Sequence, residues 1–286
     1  MQRSLVGSMK RLIWRIEYFI LLFFRYVLLV LPLPLIPYIG ALIGDVFHFF
    51  KIRHNVAYSN LVRTGLYDPS AIQRILRQTY RQFGKTFAEL LVLDRYNDAH
   101  AKQFSFRLPE DWDWHNLRSS VLISAHFGNW ELMGKALIAH GVPLAVVVRR
   151  QTNPYVDAWL FRHRTRCGMK VLYEDDIYGI LRTLRSGHAL ALLSDQDFGH
   201  NKIPVNFFSQ PCFAPAGPEM LARRTGCRAW ICLGKRETSD QFVFSIDTIS
   251  APETSFSSHY TALIESAIRS APEQWFWFHR RWKNNK

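Results

Sequence analysis

The alternation of predicted strands and helices between residues 121 and 270 is the feature that most constrains the fold of this chain. Short apolar stretches are followed repeatedly by stretches in which apolar residues recur at helical spacing. Strands that alternate with helices form a mainly parallel sheet, so we expect an α/β fold with helices on both faces of the sheet. The predicted strands are 121–125, 143–148, 170–173, 189–194, 227–235 and 241–246, and the predicted helices are 129–141, 155–166, 177–185, 218–225 and 257–270.

A histidine and a glutamate follow the first of these strands at a spacing of five residues. His126 lies in the turn after the strand, and Glu131 lies in the first turn of the next helix, with Gly128 or Asn129 as its cap. Open α/β sheets bind ligands at the carboxyl ends of their strands. A carboxylate that holds one imidazole nitrogen fixes the tautomer and raises the basicity of the other nitrogen. The spacing therefore predicts that His126 is a general base oriented by Glu131, with a structural ion pair as the alternative.

Charged residues also follow two other strands at the same expected edge. Arg149 closes one strand, where it would meet an anionic group or remain a surface cation, and Asp195 and Asp197 follow another. Paired aspartates can hold Mg²⁺, but such hard cations want six or more oxygen ligands and no third carboxylate stands nearby in the sequence. We therefore expect no metal, and we expect the aspartates to bind substrate hydroxyls or to pair with Arg149, Arg164 or Arg280.

Two more arginines are candidates for substrate binding. Arg164 lies on a predicted helix between Arg162 and Arg166, and guanidinium groups suit both carboxylate and phosphate geometry. A solvated basic face is the alternative for this helix. Arg280 follows a run of aromatic residues near the C-terminus, which we expect to be buried and to hold the neighbouring arginines near the sheet edge.

The N-terminal region contains an apolar run that predicts contact with a membrane. The run from Tyr18 to Leu31 is interrupted only by Arg25 and is shorter than the roughly 20 apolar residues of a spanning helix. Basic residues flank it on both sides and give no clear orientation. An interfacial or re-entrant helix fits this pattern, and a buried helix of the main domain is the alternative. We therefore predict a membrane anchor at residues 1–48, followed by one catalytic domain at residues 49–286.

The charge balance predicts an acidic partner. Lys and Arg number 36 against 23 Asp and Glu, which gives a formal net charge of +13. Such a surface attracts nucleic acid, anionic lipid, a phosphorylated substrate or an acidic carrier protein. The basic residues are spread along the chain and no nucleic-acid-binding pattern is present, so we expect no nucleic acid partner. The predicted helix 70–93 has a core face and a basic face, and the basic face is solvated or contacts phospholipid or a carrier protein.

The four cysteines indicate reduced thiols. Cys167, Cys212, Cys227 and Cys232 form no C-x-x-C pair, and histidines do not recur at zinc spacing. Reduced thiols favour a catalytic domain that faces the cytoplasm.

Four segments resemble known families. HFGNWE at 126–131 resembles the H-x4-D/E signature of glycerolipid-type acyltransferases. It is joined by RRQTNPYVDAWLFRHRTRCG at 149–168, LLSDQDFG at 192–199 and PEQWFWFHRRWKNN at 272–285, which are similar to segments of the bacterial lipid A secondary acyltransferases, the lauroyl and myristoyl transferase family. The resemblance covers about residues 120 to 285 in the same order.

This resemblance implies an acyltransferase of the bacterial inner membrane that needs no cofactor. The donor would be an acyl carrier protein thioester, and the acceptor would be a hydroxyl on a lipid A precursor. His126 and Glu131 would form the catalytic pair. Arg149 and Arg164 would bind the substrate or stabilise the charge that develops during the transfer. A nearby arginine or a backbone N–H of the turn at residues 127–128 would stabilise the tetrahedral oxyanion.

Two alternatives to this function stay open. One is acylation of another glycolipid, such as a mannosylated phosphoinositide or an aminolipid. The other is a non-catalytic membrane lipid-binding module that keeps the fold. An acyl-enzyme route would need an activated Ser or Cys, and no G-x-S-x-G elbow is present in the sequence.

Overall fold

The fold is a seven-stranded sheet with a separate two-stranded hairpin, surrounded by helices. The computed structural model describes residues 2–97, 100, 103–197, 201–249 and 255–283, with side chains from residue 8 onward. Residues 198–199 and 284–285 of the segments quoted above lie outside the described residues. The strands are β1 (Phe104–Arg107), β2 (Val121–Ser124), β3 (Leu144–Val148), β4 (Lys170–Tyr173), β5 (Ala189–Leu193), β6 (Lys202–Phe207), β7 (Gln210–Pro215), β8 (Ala229–Arg236) and β9 (Phe242–Thr248). The helices are α1 (Gln2–Leu29), α2 (Ile36–Phe49), α3 (His54–Thr64), α4 (Pro69–Leu91), α5 (Trp130–Ala139), α6 (Pro154–Arg166), α7 (Ile177–Arg185), α8 (Gly217–Thr225) and α9 (Phe256–Ser270).

The sheet has the order β1-β9-β8-β2-β5-β3-β4 and is mainly parallel, as predicted. Strands β2, β3, β4, β5 and β8 run in one direction, while β9 is antiparallel to β8 and carries β1 parallel to itself. The carboxyl ends of five strands therefore meet at one edge. The hairpin of β6 and β7 lies outside this sheet and was not predicted from the sequence.

Helices cover both faces of the sheet, which explains why its central strand is apolar throughout. Leu122 packs in a core cluster with α5 and α6, whereas Val121 and Ile123 pack in a cluster with α4 and α9 on the other face. All four residues of β2 are buried. A strand covered on both faces is selected for continuous apolar character and loses the alternation of a half-exposed strand.

Helix α1 pairs two of its charged side chains with the body of the protein and leaves many of its large apolar side chains exposed. The Arg25 guanidinium lies 2.6 Å from the Asp94 carboxylate, and the Asn153 amide donates to Glu17 at 2.8 Å. Arg25, which interrupts the apolar run in the sequence, thus lies on the side that contacts the body. The large apolar side chains of α1 that remain exposed are Met9, Leu12, Ile13, Ile16, Phe19, Ile20, Phe23, Phe24, Tyr26 and Val27.

A spanning anchor is not established by these helices. Among the described residues, no single helix is both long and apolar enough to cross a membrane, although the bent pair 33–49 and 54–64, with a 92° angle, satisfies the requirement by length and composition. Leu21, Leu28 and Ile36 are buried in the same core cluster as Leu122 of the central strand. The N-terminal helices therefore share a core with the domain that follows, and the division at residue 48 stays a prediction.

Helices α2 and α4 approach each other so closely that only glycine fits between them. A Cβ atom at Gly84 would lie 2.1 Å from the carbonyl oxygen of Gly40, and one at Gly44 would lie 2.2 Å from the carbonyl oxygen of Tyr80. Such distances are far below van der Waals contact, so any side chain would force the helices apart. The close packing fixes α2, with its exposed Tyr38 and Leu42, to the helix that lines the candidate site described below.

Candidate active site

His126 lies in the turn that follows β2, and the C-terminal segment holds this turn through its backbone. The His126 carbonyl accepts from the Phe276 N–H at 3.0 Å, and the Gly128 N–H donates to the Gln274 carbonyl at 2.9 Å. Gly128 has φ +60°, and a Cβ atom there would lie 1.7 Å from the carbonyl oxygen of Gly234. Glycine is therefore required at this position both by its backbone conformation and by the close approach of β8.

Asp195 is the partner of the His126 imidazole. The Asp195 Oδ1 atom lies 2.9 Å from His126 Nδ1, and Oδ2 accepts from the Trp275 indole N–H at 2.7 Å. Burial alone would raise the pKa of Asp195, but His126 and these hydrogen bonds lower it below its ordinary value. An ionised carboxylate can only accept, so Nδ1 carries the proton and Nε2 presents its lone pair. This is the arrangement that a general base needs.

The prediction that Glu131 accepts a hydrogen bond from His126 is wrong. Both carboxylate oxygens of Glu131 accept from Arg164, at 2.6 and 3.1 Å, and one also accepts from the Trp130 indole at 3.2 Å. Burial would raise the pKa of Glu131, but the Arg164 guanidinium lowers it. A two-point contact with a permanent cation outweighs a single bond to an imidazole, and this explains the choice of partner.

The register between β2 and β5 explains why Asp195 replaces Glu131. The two strands are parallel neighbours with Ser124 opposite Leu193, so the residues two positions beyond each end, His126 and Asp195, lie side by side. The sequence showed both residues at strand ends but not which strands are adjacent. The expectation that Asp195 pairs with an arginine is thus corrected, and its binding of substrate hydroxyls stays a prediction.

A small groove opens beside the imidazole. One wall comes from α4 and the other from residues 273–276 and Trp130, whose ring centroid lies 4.9 Å from that of His126. The His126 side chain is 22% exposed, while Asp195 is shielded completely. The α4 residues in the wall are Thr79, Gln82, Phe83 and Thr86. These lining residues were not identified from the sequence, because nothing in it places helix 70–93 beside His126.

Arg149 and Arg164 line a second groove, at the carboxyl ends of β3 and β4. Arg149 is largely exposed and lies 3.6 Å from Glu174. Asp157, in the same groove, accepts from the Tyr173 hydroxyl at 2.7 Å. The structure therefore brings the two predicted arginines together, but in a groove that shares no lining residue with the one beside His126.

Asp197 is enclosed by the C-terminal segment and β6. Its carboxylate lies 2.5 Å from the Lys202 ammonium, its N–H donates to His279 Nε2, and its carbonyl accepts from Lys283. Burial lowers the pKa of His279 to about 4, so this ring is neutral near pH 7 and can accept. The expected pairing of Asp197 with Arg149, Arg164 or Arg280 is therefore wrong, and its observed partner is a lysine.

Neither Arg280 nor any of the four cysteines lines either groove. Arg280 is exposed, whereas its neighbour Arg281 is buried and donates to the Phe213 carbonyl. All four cysteines are free, and burial raises the pKa of Cys167 to about 11. Within the described parts of the chain, no three or more His, Cys, Asp or Glu side chains are grouped as metal ligands.

Comparison with known proteins identifies relatives over most of the chain. Residues 7–284 match the sequence model of the bacterial lipid A biosynthesis acyltransferases. The chain is 23% identical to the lipid A biosynthesis palmitoleoyltransferase of Escherichia coli K12, over 88% of this chain and 86% of that protein. It is 27% identical to the lipid A biosynthesis lauroyltransferase of the same organism, over 58% of this chain and 56% of that protein. It is also 24% identical to the phosphatidylinositol mannoside acyltransferase of Mycolicibacterium smegmatis, over 58% of this chain and 57% of that protein.

Replacing Glu131 by Gln should destabilise the fold, because it leaves the Arg164 guanidinium buried without its counterion. Loss of one partner of a buried pair costs on the order of 3–5 kcal/mol. The folded pKa of Glu131 lies below its ordinary value of 4.5. Its stabilising contribution is therefore complete above about pH 4.5 and is lost as the pH falls through the folded pKa.

Urea unfolding at several pH values measures this contribution. The gap in unfolding free energy between wild type and Glu131→Gln should be widest near pH 7 and should narrow in acid. Glu237→Gln, which removes the half-exposed partner of Lys235, is the control and should change stability by less than about 1 kcal/mol. A gap that is the same at every pH would contradict a contribution from the Glu131 charge.

Proposed function

The chain belongs to the family of bacterial lipid A biosynthesis acyltransferases, and we propose that it transfers a fatty acyl chain from an acyl carrier protein thioester to a hydroxyl of a lipid A precursor. The observation that carries this proposal is the His126–Asp195 pair beside an open groove. A protein that only binds lipid would not need a partly exposed imidazole with one nitrogen held by a buried carboxylate.

His126 acts as the general base of the transfer. Its Nε2 atom takes the proton of the acceptor hydroxyl while the hydroxyl oxygen attacks the thioester carbonyl. Asp195 holds the ring in the tautomer that leaves Nε2 free, and its charge stabilises the imidazolium that forms. The tetrahedral intermediate then expels the thiolate of the carrier, which takes a proton from His126. The C–S bond breaks, the ester C–O bond forms, and no acyl-enzyme is needed.

We propose that Arg164 and Arg149 bind an anionic group of the substrate in the second groove, which both side chains line. Glu131 holds Arg164 there by accepting from its Nε and Nη2 atoms. The Gly128 N–H is engaged by the Gln274 carbonyl, so it is not free to stabilise the oxyanion that forms beside His126.

The outward apolar face of α1 supports binding to a membrane surface. The exposed apolar side chains along α1 form a hydrocarbon-compatible face that water does not favour. Lys10 and Arg11 lie near its N-terminal end, where they would meet acidic headgroups. We propose that the protein lies on the inner membrane with α1 in the interface and with the catalytic domain facing the cytoplasm.

The second candidate acceptor is another phosphorylated glycolipid. The similarity to the phosphatidylinositol mannoside acyltransferase supports it, because the match covers more than half of each chain. Mass spectrometry of membrane glycolipids from cells with and without the protein distinguishes the two acceptors by the mass of the lipid that gains the acyl chain. A non-catalytic lipid-binding module would leave every glycolipid unchanged.

His126→Ala and Asp195→Asn should each lower kcat by at least about a hundredfold, because the first removes the base and the second its orienting charge. Acyl transfer to purified lipid A precursor with wild type and variants measures this. Glu219→Gln is the control, since Glu219 is a buried carboxylate that binds Ser257 and lines neither groove. Near-normal turnover of His126→Ala would contradict the proposed chemistry, and near-normal turnover of Asp195→Asn would contradict the role of the pair.

Carrier docking should be electrostatic, because acyl carrier proteins are acidic and this chain is strongly basic. The KM for the carrier should rise with ionic strength, while a neutral acyl thioester without carrier should show little change. Arg162 and Arg166 are exposed on α6, whereas Arg77 and Arg81 of α4 lie 3.5 and 3.2 Å from Asp45. We therefore place the docking face on α6.

Charge reversal tests this placement of the carrier. Arg162→Glu with Arg166→Glu should raise the carrier KM and flatten its salt dependence, and the matched pair Arg77→Glu with Arg81→Glu should leave both unchanged. The opposite pattern would place docking on the basic face of α4. If neither pair alters the carrier KM, the donor is not recognised through these charges.

Sedimentation with liposomes tests the role of α1. Phe19 and Phe23 are each 65% exposed, and replacing both by Glu puts two charges into the apolar face. The bound fraction on vesicles with acidic lipid should fall several-fold, because burying a charge in the hydrocarbon region is costly. Tyr178→Glu, on an exposed side chain of α7, is the control and should bind like wild type. If the double variant binds vesicles as well as wild type does, another surface of the protein binds the membrane.

A further inference from the structure

A buried ion pair lies behind the catalytic turn and belongs to none of the motifs identified in the sequence. Both amino groups of the Arg236 guanidinium, at the end of β8, bind the two carboxylate oxygens of Glu89 in α4, one of them at 2.9 Å. The side chains of Glu89 and Arg236 are only 1% and 3% exposed. Arg236 also donates to the Ser239 carbonyl and lies over the Phe242 ring, so neither charge reaches water.

Asn129 connects this ion pair to the catalytic turn. Its side-chain N–H donates to Glu89 at 2.5 Å, while its side-chain oxygen caps α5 by accepting from the N–H groups of Glu131 and Leu132 at 3.1 and 3.0 Å. Asn129 itself is completely buried. The orientation of its amide, and with it the start of the helix that carries Glu131, is therefore set by Glu89.

Gln274 connects the same pair to the C-terminal wall of the groove. Its side chain bonds the backbone of Arg236 twice, donating to the carbonyl and accepting from the N–H, both at 2.8 Å. Its own carbonyl accepts from the Gly128 N–H. Thr86, one turn before Glu89 on α4, donates to the Gly128 carbonyl at 3.1 Å. The backbone that follows His126 is thus tied to the elements that the ion pair joins.

Stability alone does not account for such a pair. Removing two charges from water is costly, and apolar side chains of similar volume often give an equally stable or more stable core. A hydrogen-bonded ion pair also fixes the orientation of the groups around it, because each carboxylate oxygen accepts from a particular donor. An apolar pair would fill the same space but would leave the Asn129 amide without an orienting partner.

We propose that Glu89 and Arg236 are positioning residues, which act through Asn129 and Gln274 to hold the His126 turn and the start of α5 in the geometry of acyl transfer. The inference rests on the proposed function, since it assigns these residues to the same reaction. Neither residue lines the groove beside His126, so both act through others. Small displacements of a reacting group cost large factors in rate, so the effect should appear in kcat.

The test compares variants that remove the pair without leaving a buried charge. Glu89→Leu with Arg236→Met replaces it by apolar groups, and Asn129→Ala breaks the link to the turn. The apolar pair variant should keep a melting temperature near that of wild type, whereas Asn129→Ala also removes the cap of α5 and should lower it by a few degrees. Both should lower kcat about tenfold or more, with little change in KM. Glu219→Gln is the matched control for loss of a buried carboxylate and should keep both constants.

Non-additivity separates positioning from a general structural role. The triple variant combines Glu89→Leu, Arg236→Met and Asn129→Ala. If Glu89 and Arg236 act through Asn129, its kcat should equal that of the apolar pair variant within about twofold, because the link is already broken. The proposal is overturned if the kcat losses of the apolar pair variant and of Asn129→Ala multiply in the triple variant. It is also overturned if the kcat loss is matched by a loss of folded protein. If the apolar pair variant fails to fold, Arg236→Lys combined with Asn129→Ala serves the same comparison, because lysine keeps the positive charge beside Glu89 but loses the two-point contact.

The two proposals fail in different ways. A wild-type protein with no acyl transfer to any glycolipid overturns the proposed function. An active wild type whose apolar pair variant keeps full kcat overturns the positioning role and leaves the function intact.

Discussion

The hydrogen bond between His126 and Asp195 is the contact on which the candidate site depends. It joins the ends of two neighbouring parallel strands, and it forms because the register places the residue two positions past the end of β2 beside the residue two positions past the end of β5. A buried carboxylate needs several partners to stay ionised, and here the Trp275 indole supplies the second. The C-terminal segment is therefore part of the site, since without Trp275 the Asp195 charge would be poorly compensated.

The two acidic groups near the turn have separate tasks because their surroundings differ. Glu131 starts a helix and meets a buried guanidinium, so its charge is used to hold Arg164. Asp195 ends a strand and meets an imidazole, so its charge orients a base. The presence of two carboxylates with different partners keeps His126 and Arg164 apart in function, although Trp130 contacts both the His126 ring and the Glu131 carboxylate.

Helix α1 shows how an apolar helix can stay attached to a domain while offering its apolar face outward. Arg25 and Glu17 are satisfied by groups of the body, Asp94 and Asn153, which draws the polar side of the helix inward. Arg95 adds to this by donating to the carbonyls of Leu28 and Leu31 at the end of the helix. The close glycine contacts hold α2, which carries the next exposed apolar surface, against the helix that lines the groove. The lipid-compatible surface and the candidate site thus share α4 as a common support.

The sequence alone predicts the order and type of the elements from residue 121 onward, apart from the β6–β7 hairpin, because apolar periodicity reports which residues must be buried. It also predicts that His126, Arg149, Asp195 and Asp197 lie at strand ends, since that depends only on local patterns. The partners of these side chains depend on how the strands are arranged in space. Which strands are neighbours, and therefore that Asp195 rather than Glu131 meets His126, depends on contacts between residues 69 positions apart. The Glu89–Arg236 pair joins residues 147 positions apart, and no local pattern encodes such a contact.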